Sequence, residues 1–171
     1  MTDLPASLFW QEGDQAGGRQ FAQFTASDEA GLVLECGTRM PRLTVAYETW
    51  GTLDESRANA VLVLHALTGD SHAAGPAHAG HSAAGWWDPL IGPGAAVDTD
   101  RWFVVSPNVL GGCQGTTGPS SASPDGAPWG SRFPRLTIRD QVAAETLLAD
   151  RLGIDRWAAV VGGSMGGMRV L

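Results

Sequence analysis

The chain has 171 residues, of which 43% are hydrophobic, and a formal net charge of −7. This length and composition predict one globular domain with a packed core, and the negative charge disfavours nucleic acids and anionic membranes as partners. No apolar run reaches the roughly 18 residues of a membrane span, and the first residues lack the pattern of a secretory signal. We therefore expect a cytoplasmic protein in which Cys36 and Cys113 are thiols rather than a disulfide.

The basic residues narrow the possible mechanisms, because all 11 of them are arginines. Without lysine the chain cannot build a Ser-Lys dyad, a Schiff base or a lysine-containing phosphate loop. Any nucleophile must therefore be activated in another way.

The N-terminal part of the chain carries weak structural signals. Residues 1–31 are polar and aperiodic, which predicts a flexible or irregular lead-in, and the domain proper is expected over residues 32–171. The apolar segments 32–36 and 43–51 are separated by glycine and proline, and this pattern predicts an antiparallel pair of strands.

Three continuous apolar runs predict strands buried on both faces, at residues 60–67, 101–110 and 157–161. A helix is predicted over residues 137–152, because its apolar residues follow helical spacing between a threonine cap and Gly153. Strands that alternate with loops and a helix indicate an α/β fold with a mainly parallel sheet.

Two long loops follow the ends of predicted strands, at residues 68–94 and 111–134. Both are rich in glycine and lack periodicity, which is more typical of functional loops than of linkers. In open α/β sheets, ligands bind outside the carboxyl ends of the strands. The two loops therefore mark the expected ligand-binding edge of the sheet.

A candidate nucleophile follows the last predicted strand. Gly162, Gly163, Ser164, Met165 and Gly166 fit the pattern G-x-S-x-G, in which a tight strand-to-helix turn exposes the serine hydroxyl and aims the next backbone N–H at an oxyanion. The alternatives are a serine that only caps the helix, or a phosphate site at its N-terminus. The buried strand before the turn favours the nucleophile.

A second oxyanion donor is expected after the third strand, where α/β-hydrolases place it. The segment HALTGDSH begins there, and the backbone N–H of Leu67 is the candidate. Leu67 and Met165 then supply the two donors that a tetrahedral intermediate needs.

Six segments occur in the order HALTGDSH, GWWDPLIGPG, DTDRWFVVSPNVLGGCQGTTGPSS, PWGSRFP, TIRDQV and GGSMGGM. In this order they resemble the homoserine O-acetyltransferase family, enzymes of methionine biosynthesis with the α/β-hydrolase fold. The resemblance covers residues 32–171, and the loop at 108–121 is far more specific than the serine pentapeptide. It implies an α/β-hydrolase fold with a mostly parallel sheet, truncated just after the nucleophile turn.

The resemblance also implies a ping-pong acetyl transfer with acetyl-CoA as co-substrate and no resident cofactor. Acetyl-CoA would acylate Ser164, and the side-chain hydroxyl of L-homoserine would then attack the acyl-enzyme. The family's oxyanion donors fall on Leu67 and Met165, and its substrate-loop threonine falls on Thr68. A homodimer is implied for the full-length protein.

The residues that would activate the serine are expected elsewhere. In this fold the catalytic groups follow the order Ser, Asp, His, and the seven residues after Ser164 include neither Asp nor His. We therefore expect the triad Asp and His beyond the chain end, and we predict that the 171-residue chain alone lacks transferase turnover.

The upstream histidines and Cys113 are weaker candidates. His65 ends a predicted strand and is expected to hold the oxyanion loop rather than to act as a base. The spacing of His72, His78 and His81 fits no strong zinc pattern, so no metal site is expected. Nothing adjacent in sequence activates the thiol of Cys113.

Two other classes of function stay open. The same fold accommodates an ester hydrolase, or a transferase with another donor or acceptor, such as succinyl-CoA or serine. The chain is alternatively a non-catalytic remnant, or an oligomerisation partner of a complete enzyme.

Overall fold

The computed structural model describes residues 9–25 and 32–171. Five strands form one sheet: β1 (Gln20–Thr25), β2 (Arg42–Trp50), β3 (Ala60–Leu64), β6 (Phe103–Pro107) and β7 (Trp157–Gly162). Two short strands, β4 (Ile91–Gly92) and β5 (Val97–Asp98), pair separately in the first long loop. The helices are α1 (Ile138–Leu152) and α2 (Met165–Val170), with single 3₁₀ turns at Asp88–Leu90 and Gly130–Arg132.

The large sheet has the spatial order β1-β2-β6-β3-β7. Strand β3 pairs in parallel with β6 on one side and with β7 on the other. Strands β2 and β1 extend the sheet in antiparallel pairing. The prediction of a mainly parallel sheet is confirmed for the three strands that lead into the candidate site.

The apolar runs that form β3 and β6 became strands because both of their faces are covered. The prediction of a strand buried on both faces is wrong for β7, in which no residue is fully buried and Ala158 and Ala159 are exposed. All five residues of β3 are buried. One face of the sheet packs with α1 into a core that contains Val105 and Leu148, and the other face forms a second core around Val63, Val104 and the tryptophans of the first long loop.

Helix α1 begins and ends as predicted. The hydroxyl of Thr137 accepts a hydrogen bond from the backbone N–H of Asp140, and the Asp140 side chain accepts one from the backbone N–H of Thr137. Gly153 ends the helix with a φ of 72°, a left-handed conformation that glycine adopts without steric cost.

The expected irregular lead-in is wrong for Gln20–Thr25, which forms β1. In this segment Ala22 and Phe24 belong to the core, Gln23 and Thr25 are exposed and Phe21 is half-buried, so the segment has the two-residue period of a half-buried strand. The glutamines obscured that period in the sequence. Residues 1–8 and 26–31 of the predicted lead-in lie outside the described residues.

The predicted pairing of segments 32–36 and 43–51 is also wrong. Residues 32–40 close on themselves instead: Val33 bridges Arg39, and the backbone N–H of Met40 donates to the carbonyl of Leu32 at 2.9 Å. Gly37, with a φ of 83°, provides the turn that folds this segment back on itself. The sheet partner of β2 at this side is β1.

Strand β7 ends the sheet order, and it pairs with β3 alone among the described residues. Ala158 and Ala159 of this strand are exposed beside an apolar groove that Val97, Trp102 and Val161 also line. In the described part of the chain, every helix is too short or too polar to cross a membrane.

Candidate active site

Ser164 occupies a sharp turn between β7 and α2. Its backbone has a φ of 56° and a ψ of −123°, and its side chain makes no hydrogen bond that caps α2. A residue other than glycine in such a conformation stores strain of about 1–3 kcal/mol. The reading of Ser164 as a helix cap is therefore not supported, whereas an exposed, strained serine fits a nucleophile.

Two of the neighbouring glycines are required by close backbone contacts. A Cβ at Gly166 would overlap the carbonyl oxygen of Leu64, and a Cβ at Gly162 would lie 2.6 Å from the carbonyl carbon of Gly166. A Cβ at Gly163 would meet no described heavy atom within 4 Å. The turn is thus pressed against the end of β3 at Gly162 and Gly166, but not at Gly163.

The proposed oxyanion loop begins where β3 ends, beside this contact. Leu67 is 74% exposed, and a tight turn follows it because the backbone N–H of Gly69 donates to the carbonyl of Ala66 at 2.9 Å. No described residue accepts a hydrogen bond from the backbone N–H of Leu67 or of Met165. Neither N–H group therefore has an acceptor among the described residues, and their role as oxyanion donors stays a prediction.

His65 holds the start of this loop with both ring nitrogens. Its Nε2 accepts a hydrogen bond from the backbone N–H of Val109 at 3.1 Å, so Nδ1 carries the proton and donates to the carbonyl of Ala66 at 2.6 Å. Burial lowers the pKa of His65 to about 4. The ring is neutral and fully engaged near pH 7, which confirms its expected supporting role.

Two residues that no sequence motif marks also support this loop. Arg169 on α2 and Glu145 on α1 are both buried, and they form an ion pair behind the loop. Burial raises the pKa of the Glu145 carboxyl to about 7, against the opposing effect of Arg169. They stand 24 positions apart in the sequence, so spacing gives no signal of the pair.

Thr68 lies at the other end of the loop, beside a cavity of about 220 Å³. Asp70, His72, His81 and Trp86 also line this cavity. The structure therefore brings the predicted substrate-loop threonine next to a cluster of ionisable side chains.

That cluster is centred on the buried carboxylate of Glu48. Its Oε2 lies 3.0 Å from Nδ1 of His72, and its Oε1 lies 2.9 Å from Nε2 of His81. Asp70, itself 3.8 Å from the guanidinium of Arg19, lies 3.4 Å from Nδ1 of His81. Burial lowers the pKa of His81, but the two carboxylates outweigh burial and leave this pKa above its usual value.

The three loop histidines lie close together, although their spacing in the sequence fits no strong zinc pattern. Their nearest ligand atoms all lie within 4.8 Å of one another. A shared zinc ion needs lone pairs that converge on a point about 2.1 Å from each nitrogen, whereas the rings of His72 and His81 stack at 4.2 Å with 15° between their planes. We therefore assign the two buried rings to the carboxylate network, and the expectation of no metal stays a prediction.

Cys36 and Cys113 are both exposed. Trp10 donates its backbone N–H to the carbonyl of Cys113 at 2.8 Å, which pins the main chain at this point of the second long loop.

Known proteins share this arrangement of strands and loops. Residues 59–171 match the family model described as alpha/beta hydrolase fold. The homoserine O-acetyltransferase of Thermobifida fusca (strain YX) is 62% identical over 168 residues, which cover 98% of this chain and 43% of that protein. The chain spans about two fifths of the length of the curated relatives that it matches.

Two solved structures superpose equally well. The crystal structure of homoserine O-acetyltransferase from Bacillus anthracis has a TM-score of 0.77 and 35% sequence identity. The match covers 88% of this chain and 41% of the Bacillus anthracis chain. The crystal structure of esterase E22 has a TM-score of 0.77 and 38% identity, and covers 88% of this chain and 42% of its own.

Proposed function

We propose that this chain, which belongs to the alpha/beta hydrolase fold family, supplies the nucleophile and oxyanion donors of an enzyme that acetylates the side-chain hydroxyl of L-homoserine. The observation that carries the proposal is the left-handed backbone of exposed Ser164 between β7 and α2. The identity with curated homoserine O-acetyltransferases supports the choice of acceptor and donor.

In the first half-reaction, Oγ of Ser164 attacks the thioester carbonyl of acetyl-CoA. A general base takes the hydroxyl proton, and the carbonyl oxygen gains negative charge that the N–H groups of Leu67 and Met165 stabilise. The C–S bond then breaks, CoA leaves with a proton, and the acetyl group stays on Ser164 as an ester.

In the second half-reaction, the side-chain hydroxyl of L-homoserine attacks the acetyl ester. The same N–H groups stabilise the second tetrahedral intermediate, and Ser164 recovers its proton as O-acetyl-L-homoserine forms. Thr68 lies on the oxyanion loop beside the cavity, and we assign it a contact with the substrate. No step of this chemistry needs a resident cofactor.

The general base and its orienting carboxylate are assigned to residues outside this chain. Support comes from the contacts of the buried histidines: His65 uses both ring nitrogens on the backbone, and His72 and His81 face Glu48. We also propose that the full-length protein is a homodimer.

Release of CoA by the full-length gene product tests the choice of acyl donor and acceptor. We expect sustained, multiple-turnover release of CoA from acetyl-CoA only when L-homoserine is present, because without L-homoserine release stops after about one CoA per Ser164. Release from succinyl-CoA, or with serine as the acceptor, should be slow. Ser164→Ala should abolish release, whereas Ser56→Ala, a change at an exposed serine in the turn between β2 and β3, should not. Equal release with and without L-homoserine contradicts a transferase.

Ester hydrolysis is the second candidate, because esterase E22 matches this chain with the same TM-score as the Bacillus anthracis acetyltransferase. In a hydrolase, water rather than an alcohol attacks the acyl-serine. Acetate production that L-homoserine does not suppress would favour this candidate.

A further inference from the structure

We propose that Arg169 is a positioning residue that ties together the two backbone segments of the oxyanion hole, with Glu145 orienting its guanidinium. This inference rests on the proposed roles of Ser164, Leu67 and Met165. The ion pair of Arg169 and Glu145 is buried, and the acyl-transfer chemistry itself does not use it.

The contacts of Arg169 connect three elements. Its Nη2 donates to the carbonyl oxygen of His65 at 2.8 Å, just past the end of β3. Its Nη1 donates to Oε1 of Glu145, which lies on α1. The Arg169 side chain has no exposed surface, so no solvent competes for these hydrogen bonds.

The two proposed oxyanion donors stand on either side of this link. Met165 is the first residue of α2, the helix that also carries Arg169, whereas Leu67 follows His65 by two residues. The Arg169–His65 hydrogen bond therefore holds the loop at one distance from the helix, together with the packing of Gly166 against the carbonyl groups of Leu64 and His65. Because catalysis requires both N–H groups to point at one oxygen atom, a change in this distance weakens both.

Other contacts hold the atoms around the Arg169–His65 hydrogen bond in place. Gly166 lies against the carbonyl groups of Leu64 and His65, too close for a Cβ. The His65 ring is held by Val109 and holds Ala66 in turn. The carbonyl of His65 is thus fixed by Arg169 from the helix side, while the ring of the same residue fixes the loop from the side of β6.

Glu145 orients the guanidinium plane of Arg169 so that Nη2 points at the carbonyl oxygen of His65. A planar group with two hydrogen bonds to separate partners has one orientation, whereas a single contact leaves it free to rotate. The Nε of Arg169 has no described hydrogen-bond partner, so the two terminal nitrogens alone fix the side chain. Loss of Glu145 would also leave a buried cation without its counter-charge.

The test measures acylation separately from homoserine transfer, in the full-length gene product. p-Nitrophenyl acetate releases p-nitrophenolate as Ser164 is acetylated, whichever acceptor the enzyme uses afterwards. We expect Arg169→Met to lower the acylation rate constant on the order of 10- to 100-fold, a smaller loss than removal of one oxyanion donor would cause. The KM should stay within about twofold of the unsubstituted protein.

Conservative variants separate positioning from simple stability. Arg169→Lys keeps the charge and one contact, and Glu145→Gln keeps the acceptor, so both should retain more activity than Arg169→Met. The matched control is Arg139→Met on the exposed face of α1, where, among the residues that the structure describes, the guanidinium pairs with the exposed Glu35 alone. The acylation rate of this variant should be unchanged.

An unchanged acylation rate in Arg169→Met, or a loss that lies wholly in KM, would overturn the inference. If Arg169→Met does not fold, the folded variants Arg169→Lys and Glu145→Gln test the inference instead. Their acylation rate constants must then fall while their KM values stay constant. Failure of the proposed function is distinguishable, because it would remove the dependence on L-homoserine and leave the effect of Arg169 on acylation in place.

Discussion

The buried ring of His65 predicts that acid weakens the protein in a specific pH range. The ring is 2% exposed, and burial lowers its pKa from 6.5 to about 4. In the unfolded chain the imidazole takes up a proton as the pH falls through 6.5, but the folded ring stays neutral until about pH 4. The unfolded state therefore binds more protons in this interval, and stability falls as the pH is lowered.

The size of the effect follows from the two pKa values. At pH 5 the unfolded ring is almost fully protonated and the folded ring is about nine-tenths neutral, so the free energy of unfolding drops by about 2 kcal/mol relative to pH 7. Below pH 4 both states are protonated, and the loss levels off at about 3 kcal/mol.

Urea unfolding of the full-length gene product at pH 7 and pH 5 measures this loss against His65→Gln, which cannot titrate. Other groups affect both proteins alike, so the stability of the variant should fall by about 2 kcal/mol less between these pH values. An NMR titration of the ring provides a second readout. A His65 pKa near 6.5, or parallel pH dependence of the two proteins, would refute the reasoning.

Three further substitutions test the elements that carry the site, with thermal unfolding and the p-nitrophenyl acetate burst as readouts. Thr137→Ala removes the capping box of α1 and should cost about 1 kcal/mol of stability. Leu148→Ala opens a cavity at a fully buried position and should cost about 2–5 kcal/mol. Gly166→Ala places a methyl group on the carbonyl of Leu64 and should slow acylation at least tenfold by moving α2 from the loop.

Two matched variants serve as controls for Thr137→Ala and Gly166→Ala. Thr146→Ala, at an exposed position of α1, should be milder than Thr137→Ala. Gly163→Ala should be milder than Gly166→Ala, because its Cβ meets no described atom within 4 Å. Equal effects within either pair would mean that the cap or the close backbone contact does not have the role assigned to it.

Features governed by neighbours in sequence were predictable. The capping box of α1 spans four consecutive positions, and the apolar runs that formed β3, β6 and β7 are continuous. The turn at Ser164 was predictable for the same reason, since small residues and a preceding apolar strand define it locally.

Features that depend on contacts between residues far apart in the sequence were not predictable. Strand β1 has its partner β2 more than 15 positions away, and its two-residue period covers only six residues interrupted by glutamine. Glu48 meets His72 and His81 only because β2 and the first long loop lie side by side in the fold. Arg169 meets His65 across 104 positions, a separation that carries no pattern in the sequence.

Acetylation of Ser164 is the step on which the proposed mechanism depends. The most direct test is the intact mass of the full-length gene product after brief mixing with acetyl-CoA in the absence of L-homoserine, with peptide mapping of the modified residue. We expect one acetyl group on the peptide that contains Ser164, its removal on addition of L-homoserine, and no adduct in Ser164→Ala. An unmodified Ser164, or an adduct that persists in Ser164→Ala, would contradict the proposed mechanism.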